Sequence, residues 1–364
     1  MVIMHVDLDY FYAQCEESLN PAIRGRSVIV CVFSGRTENS GVVSTCNYQA
    51  RKFGVRAGIP IVRAKKLLEA TESVFIPMNR RLYEEISDRV MELLRNHADQ
   101  FEKVGIDEAY LDVSTKTNGD LSQAEKIALQ IKQEIVQLEH ITCSIGVGPN
   151  KLLAKIASDE NKPNGLKIVR SEDVKGYLAE LAVGRIPGVG KKVEEKLSKL
   201  QISKIGELSR VNPTVLIETF GRSLGSYLYQ AALGMSAEPV KDRDQPTQFS
   251  RIATLKVNTR QAAEIIPLLD ELTLSLTSRL TEENMMCKSI SIIAITDNLR
   301  IHSKSKTLES PTHDEKAIRQ SSRELLEQFL QATPHVVIRR IGVKLSGLSK
   351  RGGQIDLGQF LRRV

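Results

Sequence analysis

The order of apolar patterns in residues 1–166 leaves few folds open. An apolar run, Val2-Ile3-Met4-His5-Val6, predicts a strand over about 2–8. Leu82, Ile86, Val90, Leu93 and Leu94 recur at helical spacing and predict a helix over about 79–97. A hairpin is expected next, over about 100–106 and 109–113. A second helix, over about 121–138, carries Leu121, Ala124, Ile127, Ala128, Ile131 and Ile135 on one face. A strand over 141–147 closes the unit. This succession is β-α-β-β-α-β, the split ferredoxin-like arrangement, with residues of about 19–77 inserted after the first strand.

In that arrangement the first and third strands are central antiparallel neighbours. The end of strand one, with Asp7 and Asp9, is therefore expected beside the hairpin that carries Asp107 and Glu108, about a hundred residues away. Crowded carboxylates repel and shift one another's pKa unless a cation sits between them. Hard divalent ions such as Mg²⁺ take oxygen ligands and leave positions open for substrate phosphates. Taken singly, each cluster is better explained as an acidic turn. Brought together by the topology, the two are better explained as a metal site.

The remainder of the chain is less constrained. At 364 residues it exceeds one ordinary core, so two to four domains are expected. Residues 167–233 read as helical and contain Ile186-Pro187-Gly188-Val189-Gly190-Lys191-Lys192. Residues 234–246 are polar and Pro-containing and read as an interdomain linker. Strand–helix alternation returns over 247–348. Its last strand, 335–346, is expected to put Val337, Ile341, Val343 and Leu345 on one face and Arg340, Lys344 and Ser346 on the other. No apolar run approaches the roughly 20 residues that span a bilayer, so no membrane is expected. The N-terminus has no secretory signal pattern. Cys15, Cys31, Cys46, Cys143 and Cys287 form no CxxC pair and read as reduced thiols of a cytoplasmic protein. A net charge of +7 favours a polyanionic partner, although many proteins this basic bind no nucleic acid.

Asp7-Leu8-Asp9-Tyr10-Phe11-Tyr12 and Gly105-Ile106-Asp107-Glu108-Ala109-Tyr110-Leu111-Asp112 closely resemble the catalytic motifs of Y-family DNA polymerases, in particular the DinB or kappa-type branch (DNA polymerase IV) of archaea. Further matching runs are 47–58 (Asn47-Tyr48 to Gly58), 148–159 (Gly148-Pro149-Asn150-Lys151 to Asp159) and Lys162-Pro163-Asn164-Gly165. The similarity covers roughly residues 1–350 and is densest to about 166. One departure is Gly105, where the family usually has Ser.

The resemblance implies an α+β, right-hand polymerase. Its palm would be ferredoxin-like (1–18 and 78–166), followed by small fingers (19–77) and a helical thumb with a helix–hairpin–helix (167–233). A linker (234–246), an α/β little finger that binds DNA (247–348) and a tail (349–364) would complete it. It implies low-fidelity, template-directed addition of dNMPs to a primer 3′ end during translesion synthesis, without a proofreading exonuclease. Two Mg²⁺ ions, replaceable by Mn²⁺, would lie between Asp7 and Asp107, with Glu108 on the ion that activates the 3′-hydroxyl and the Leu8 carbonyl on the other. Asp9 would be a supporting residue. Phe11, Tyr12, Tyr48, Arg51 and Lys162 would meet the nucleotide, Tyr12 excluding a ribose 2′-hydroxyl. Val32, Val42 and Ser44 would cover the nascent base pair. Gly188, Gly190, Lys191, Arg340 and Lys344 would meet the DNA backbone.

Outside the resemblance these are ordinary residues: a packed Tyr, a surface Arg, small sheet residues, a tight turn between helices, a solvated charged face. The tail Gln354-Ile355-Asp356-Leu357-Gly358-Gln359-Phe360-Leu361 matches the peptide by which partners dock on a PCNA-type sliding clamp, with Leu361 departing at the last position. A short helical turn there would seat Leu357 and Phe360 in one pocket. The polymerase is expected to be a monomer. Two competing readings are a nucleotidyl cyclase, which shares the palm topology and paired carboxylates, and a catalytically silent scaffold tethered to the clamp.

Overall fold

A computed structural model of the chain describes residues 1–242 and 246–351. Among these, two compact units form: residues 1–32 with 43–242, and residues 33–42 with 246–351.

The first unit begins with β1 (Ile3–Leu8), α1 (Phe11–Leu19), β2 (Ser27–Phe33), β3 (Gly41–Cys46), α2 (Tyr48–Lys52), α3 (Ile61–Leu67) and β4 (Ser73–Pro77). It continues through α4 (Arg80–Asn96), β5 (Gln100–Lys103), β6 (Glu108–Asp112), α5 (Leu121–Glu139), β7 (Cys143–Gly148), α6 (Lys151–Ser158) and β8 (Leu166–Ile168). The main sheet has the order β5-β6-β1-β7-β8. β1 is antiparallel to both β6 and β7, as the split ferredoxin-like arrangement requires. Strands β2, β3 and β4 form a smaller sheet, β3-β2-β4, with its own core around Ile29, Val43, Ile61 and Leu68 of the first unit, while Phe33, Gly41 and Val42 at the strand ends group with the second. The edge strand β8 lies in a stretch, 166–168, too short to show a period in the sequence.

Successive residues of a strand point to opposite faces, and β1 is covered on both. Val2, Met4, Val6 and Leu8 enter the main core with Tyr83, Ile86, Val90 and Leu94 of α4 and Ala124, Ala128, Ile131 and Ile135 of α5. Asn79 and Asp120 cap these two helices through Leu82 N and Ser122 N. Ile3, His5 and Asp7 take the other face, where α6 packs on β1 and β7. The close approach of α6 depends on Gly146: a Cβ there would collide with the Ala154 carbonyl oxygen and the Ser158 amide nitrogen.

A helical segment follows: α7 (Val174–Ala179), α8 (Lys191–Lys199), α9 (Ile205–Leu208), α10 (Pro213–Phe220) and α11 (Arg222–Ala232). Beyond it, residues of the expected interdomain linker are strapped to the main sheet. Val240, 6% exposed, packs with Ile3, Tyr110 and Ala154. Lys151 Nζ bridges Glu102 (2.8 Å) and Glu238 (3.0 Å), and Arg95 holds Asp242 at 2.6 Å.

The second unit contains β9 (Gln248–Thr259), α12 (Ala262–Glu282), β10 (Met285–Thr296), β11 (Ile301–Thr312), α13 (Glu315–Ala332), β12 (Ile338–Ser346) and β13 (Ser349–Lys350). Its sheet runs β11-β10-β12-β9, all antiparallel, with α12 and α13 closing the core. β12 corrects the expected face. A register shift between Ile338 and Arg340 inserts a bulge, so Ile338, not Val337, joins Ile341, Val343 and Leu345 in the core. β13 pairs with β10 at Met285 and Met286, so the first residues assigned to a tail belong to the sheet.

Candidate active site

Asp7 and Glu108 are cross-strand partners in the β1–β6 register. The Leu8 amide donates to the Asp107 carbonyl at 2.8 Å, which latches the 104–107 turn over the end of β1. Val104 and Gly105 both donate to the Glu108 carbonyl, at 3.1 and 3.2 Å. A Cβ on Gly105 would stand 3.3 Å from Glu108 Cγ and 3.4 Å from Asp107 Oδ1, so this position bears directly on both carboxylates.

The three acids do not share one environment. Burial lifts the Asp7 carboxyl to about 6, against the pull of the Lys162 ammonium and with some help from Asp107. Burial likewise raises Asp107, and the neighbouring Glu108 adds to the rise. Glu108 is instead held down to about 2 by the His5 ring and, against burial, by the Lys155 ammonium. Lys155 Nζ lies 2.5 Å from Glu108 Oε2, and Lys162 Nζ lies 2.7 Å from Asp7 Oδ1 and from Asp159 Oδ1. His5 is fully buried, with Nδ1 2.8 Å from Ser158 Oγ and Nε2 3.2 Å from Glu108 Oε2. Burial lowers its pKa to about 4, so it is neutral at pH 7.

His5, Asp7 and Glu108 each offer a ligand atom within 4.8 Å of the others. The donors fit a hard divalent cation. Asp7 and Glu108 bring oxygens together beside His5, Asp107 lies close enough to raise Asp7 further, and Asp7 and Asp107 both carry the raised pKa of carboxylates deprived of water. Asp9 is different. It is 1% exposed, and its oxygens accept from Ser144 Oγ and Thr142 Oγ1 at 2.7 Å and from Asn164 N at 2.8 Å. Its lone pairs are committed to the fold.

The expected nucleotide residues surround this cluster unequally. Tyr12 stacks on Tyr83, with ring centroids 4.4 Å apart and planes 13° apart. Tyr83 is itself buried and donates to Glu16 at 2.6 Å. The Phe11 ring is 2% exposed and packs in the core, so any nucleotide contact of this residue is through its backbone. Asn47 caps α2 through Ala50 N and donates to Glu17 at 2.6 Å. The Arg51 guanidinium lies 4.7 Å over the Tyr48 ring, which meets the edge of Tyr10 at 5.4 Å. Val32 and Val42 are exposed, and Ser44 is half-buried with Oγ 3.8 Å from Met78 Sδ.

The expected DNA residues lie elsewhere. Gly188, at φ 84°, has the left-handed backbone that glycine tolerates, and Gly190 caps α8 ahead of the exposed Lys191. Arg340 and Lys344 are half-buried on the face of the second unit's sheet opposite its helices, and Arg340 Nε is buried without a hydrogen-bond partner among the described residues. Gln354, Leu357, Phe360 and Leu361 lie outside the described residues. The sequence reading missed His5, Tyr83, Lys151 and Lys155. Only the Lys151–Lys155 spacing on one helix hinted at the last two.

Residues 6–159 match the model of the impB/mucB/samB family, and 246–357 match that family's C-terminal domain. Residues 184–235 match a domain described as the DNA polymerase-iota thumb. The chain is 41% identical to a DNA polymerase IV of Methanosarcina acetivorans, over 99% of both chains. It is also 41% identical to a DNA polymerase IV of Nitrosopumilus maritimus, again over 99% of both. Among solved structures it is similar to a Y-family DNA polymerase chimera of Dbh and Dpo4, at TM-score 0.92 and 38% identity, covering 96% of this chain and 100% of that one. An insertion ternary complex of Dbh DNA polymerase is similar at TM-score 0.70 and 38% identity, covering 96% and 100%.

Proposed function

The chain belongs to the Y-family DNA polymerases, in the impB/mucB/samB and DinB (polymerase IV) line, and from that premise we propose which of its residues carry translesion synthesis. It is a DNA-directed DNA polymerase with an α+β right-hand fold. The family uses a divalent cation, and primer–template DNA and dNTP are its substrates. The kinship along the whole chain is with DNA polymerases rather than nucleotidyl cyclases, and the intact Asp7, Asp107 and Glu108 argue against a silent scaffold, a reading that one dNTP-incorporation assay decides.

The observation that carries the site assignment is the register that sets Asp7 opposite Glu108, with the Asp107 backbone bonded to Leu8. Asp7 and Asp107 would hold a pair of Mg²⁺ ions, with Glu108 and the Leu8 carbonyl completing the set; Mn²⁺ would substitute. Such a pair stabilises both the attacking and the leaving oxygen of an in-line displacement. The protein's part is to fix these donors, exclude water and place the triphosphate. Lys162, Arg51 and Tyr48 would grip the triphosphate, the planar Arg51 suiting a bidentate contact. The Tyr12 ring, backed by Tyr83, would be a rigid wall against a 2′-hydroxyl. Val32, Val42 and Ser44 would cover the base pair, and the turn at Gly188 and Gly190, Lys191, Arg340 and Lys344 would meet phosphates. The polymerase would act as a monomer in the cytoplasm, in keeping with five free, buried thiols, and would reach a PCNA-type clamp through residues 354–361.

Asp107→Ala is expected to abolish primer extension, by about three orders of magnitude or more, while primer–template affinity stays within a few fold. Normal turnover would refute the cation assignment. Tyr12→Ala is expected to admit ribonucleotides in the same assay, and unchanged sugar discrimination would remove the wall.

A further inference from the structure

Lys132 is on α5, away from the carboxylate cluster, yet all three of its ammonium donors are engaged. Nζ donates to the Asn164 side-chain oxygen at 2.6 Å, to the Cys143 carbonyl at 2.8 Å and to the Gly165 carbonyl at 3.2 Å. A helical lysine ordinarily extends its head into water. Here the head turns inward against burial that disfavours its charge. Two of its acceptors belong to the 162–165 turn, and the third belongs to β7, opposite Leu8.

The same turn is gripped from its other side. Asn164, in the left-handed region at φ 55°, gives its backbone N–H to the buried Asp9 carboxylate at 2.8 Å. Gly165 gives its N–H to Ser144 Oγ at 3.1 Å and accepts from Ile145 N at 3.0 Å. A cation and an anion thus clamp a four-residue turn whose first member, Lys162, reaches Asp7 Oδ1 at 2.7 Å. We infer that Lys132 is a positioning residue for nucleotide binding: together with Asp9 it fixes the turn, and so the place where the Lys162 ammonium meets the triphosphate. The inference rests on the reading of Lys162 given above. Misplacing a charged donor by about 1 Å is enough to forfeit much of its contact with a bound substrate.

The test is steady-state single-nucleotide incorporation by the full-length chain, with primer–template affinity measured separately. Lys132→Met, which keeps the stem and removes the donors, is expected to raise KM for dNTP on the order of tenfold, the usual worth of a charged hydrogen bond, with kcat and DNA affinity little changed. Lys132→Arg is expected to recover part of the loss. Asn164→Gly keeps the left-handed backbone and removes the acceptor, so it is expected to reproduce the KM effect and stands in should Lys132→Met fold poorly. Lys162→Ala should raise KM by itself, and adding Lys132→Met to it should change KM less than about twofold. An equal KM increase in both backgrounds, or a fall in kcat and DNA affinity together, would overturn the positioning role. If Lys162→Ala leaves KM unchanged, the triphosphate assignment fails first and the role of Lys132 with it.

Discussion

Asp7 is costly to the fold at the pH where it is useful to catalysis. Its folded pKa of about 6, set by burial against the pull of Lys162, lies above its ordinary 3.8. The folded chain therefore holds this proton more tightly than the unfolded chain does. That contribution to stability is complete below about 3.8 and is lost as pH rises through about 6. In a chelator, Asp7→Asn is expected to raise the unfolding free energy on the order of 2 kcal/mol at about pH 7.5 and to bring little gain near pH 3.5. Equal gains in urea unfolding at both pH values would sink the argument. A cation must also displace this proton, so the half-saturating Mg²⁺ concentration for incorporation should rise several-fold between about pH 7.5 and 5.5. At this scale the acids were legible because each ends a strand whose apolar neighbours betray it. His5 and Lys155 were not, because a polar residue inside an apolar run or on a helix looks the same whether or not another helix brings it a partner.

Between elements, one glycine decides whether that partner arrives. Gly146 pairs with His5 across β1 and β7, and its missing side chain admits α6 closely enough for Lys155 and Ser158 to reach Glu108 and His5. Gly146→Ala would drive a Cβ into α6 backbone that no rotamer change can move. A loss of about 3 kcal/mol or more in denaturant unfolding is expected, and incorporation by the folded fraction should fall because Lys155 leaves Glu108. Lys151 does related work for the strap. Its ammonium is shared by Glu102, 1% exposed, and Glu238. Lys151→Met is therefore expected to lower the unfolding free energy in urea by about 1.5–3 kcal/mol, the usual worth of a hydrogen bond to a charged group. The β-α-β-β-α-β order was readable because each element repeats its own period over many residues. The strap was not, since its anchoring rests on a single apolar residue, Val240, and on charges that read as solvated. The bulge in β12 escaped for a similar reason: one inserted residue exchanges Val337 for Ile338 without disturbing the overall alternation.

For the molecule as a whole, the proposed roles of charge and of residues 354–361 concern how it stays on DNA. A net charge of +7 favours a polyanionic partner, and a long residence on the template is proposed to need a tether. Residues 354–361 are proposed to supply it. The described fold of the second unit closes before them: β13 ends at Lys350, and Arg351 N bonds to the Asn284 carbonyl at 2.8 Å. Removing 354–364 should therefore leave the unfolding free energy within about half a kcal/mol of the parent and leave unassisted, distributive extension unchanged. Stimulation by a PCNA-type clamp loaded on the primer–template should disappear. Leu357→Ala with Phe360→Ala should do the same without shortening the chain, because the two apolar side chains are the proposed anchors. If product length in the presence of the clamp is the same for the parent, the truncated chain and the double variant, the clamp acts through another surface of the polymerase.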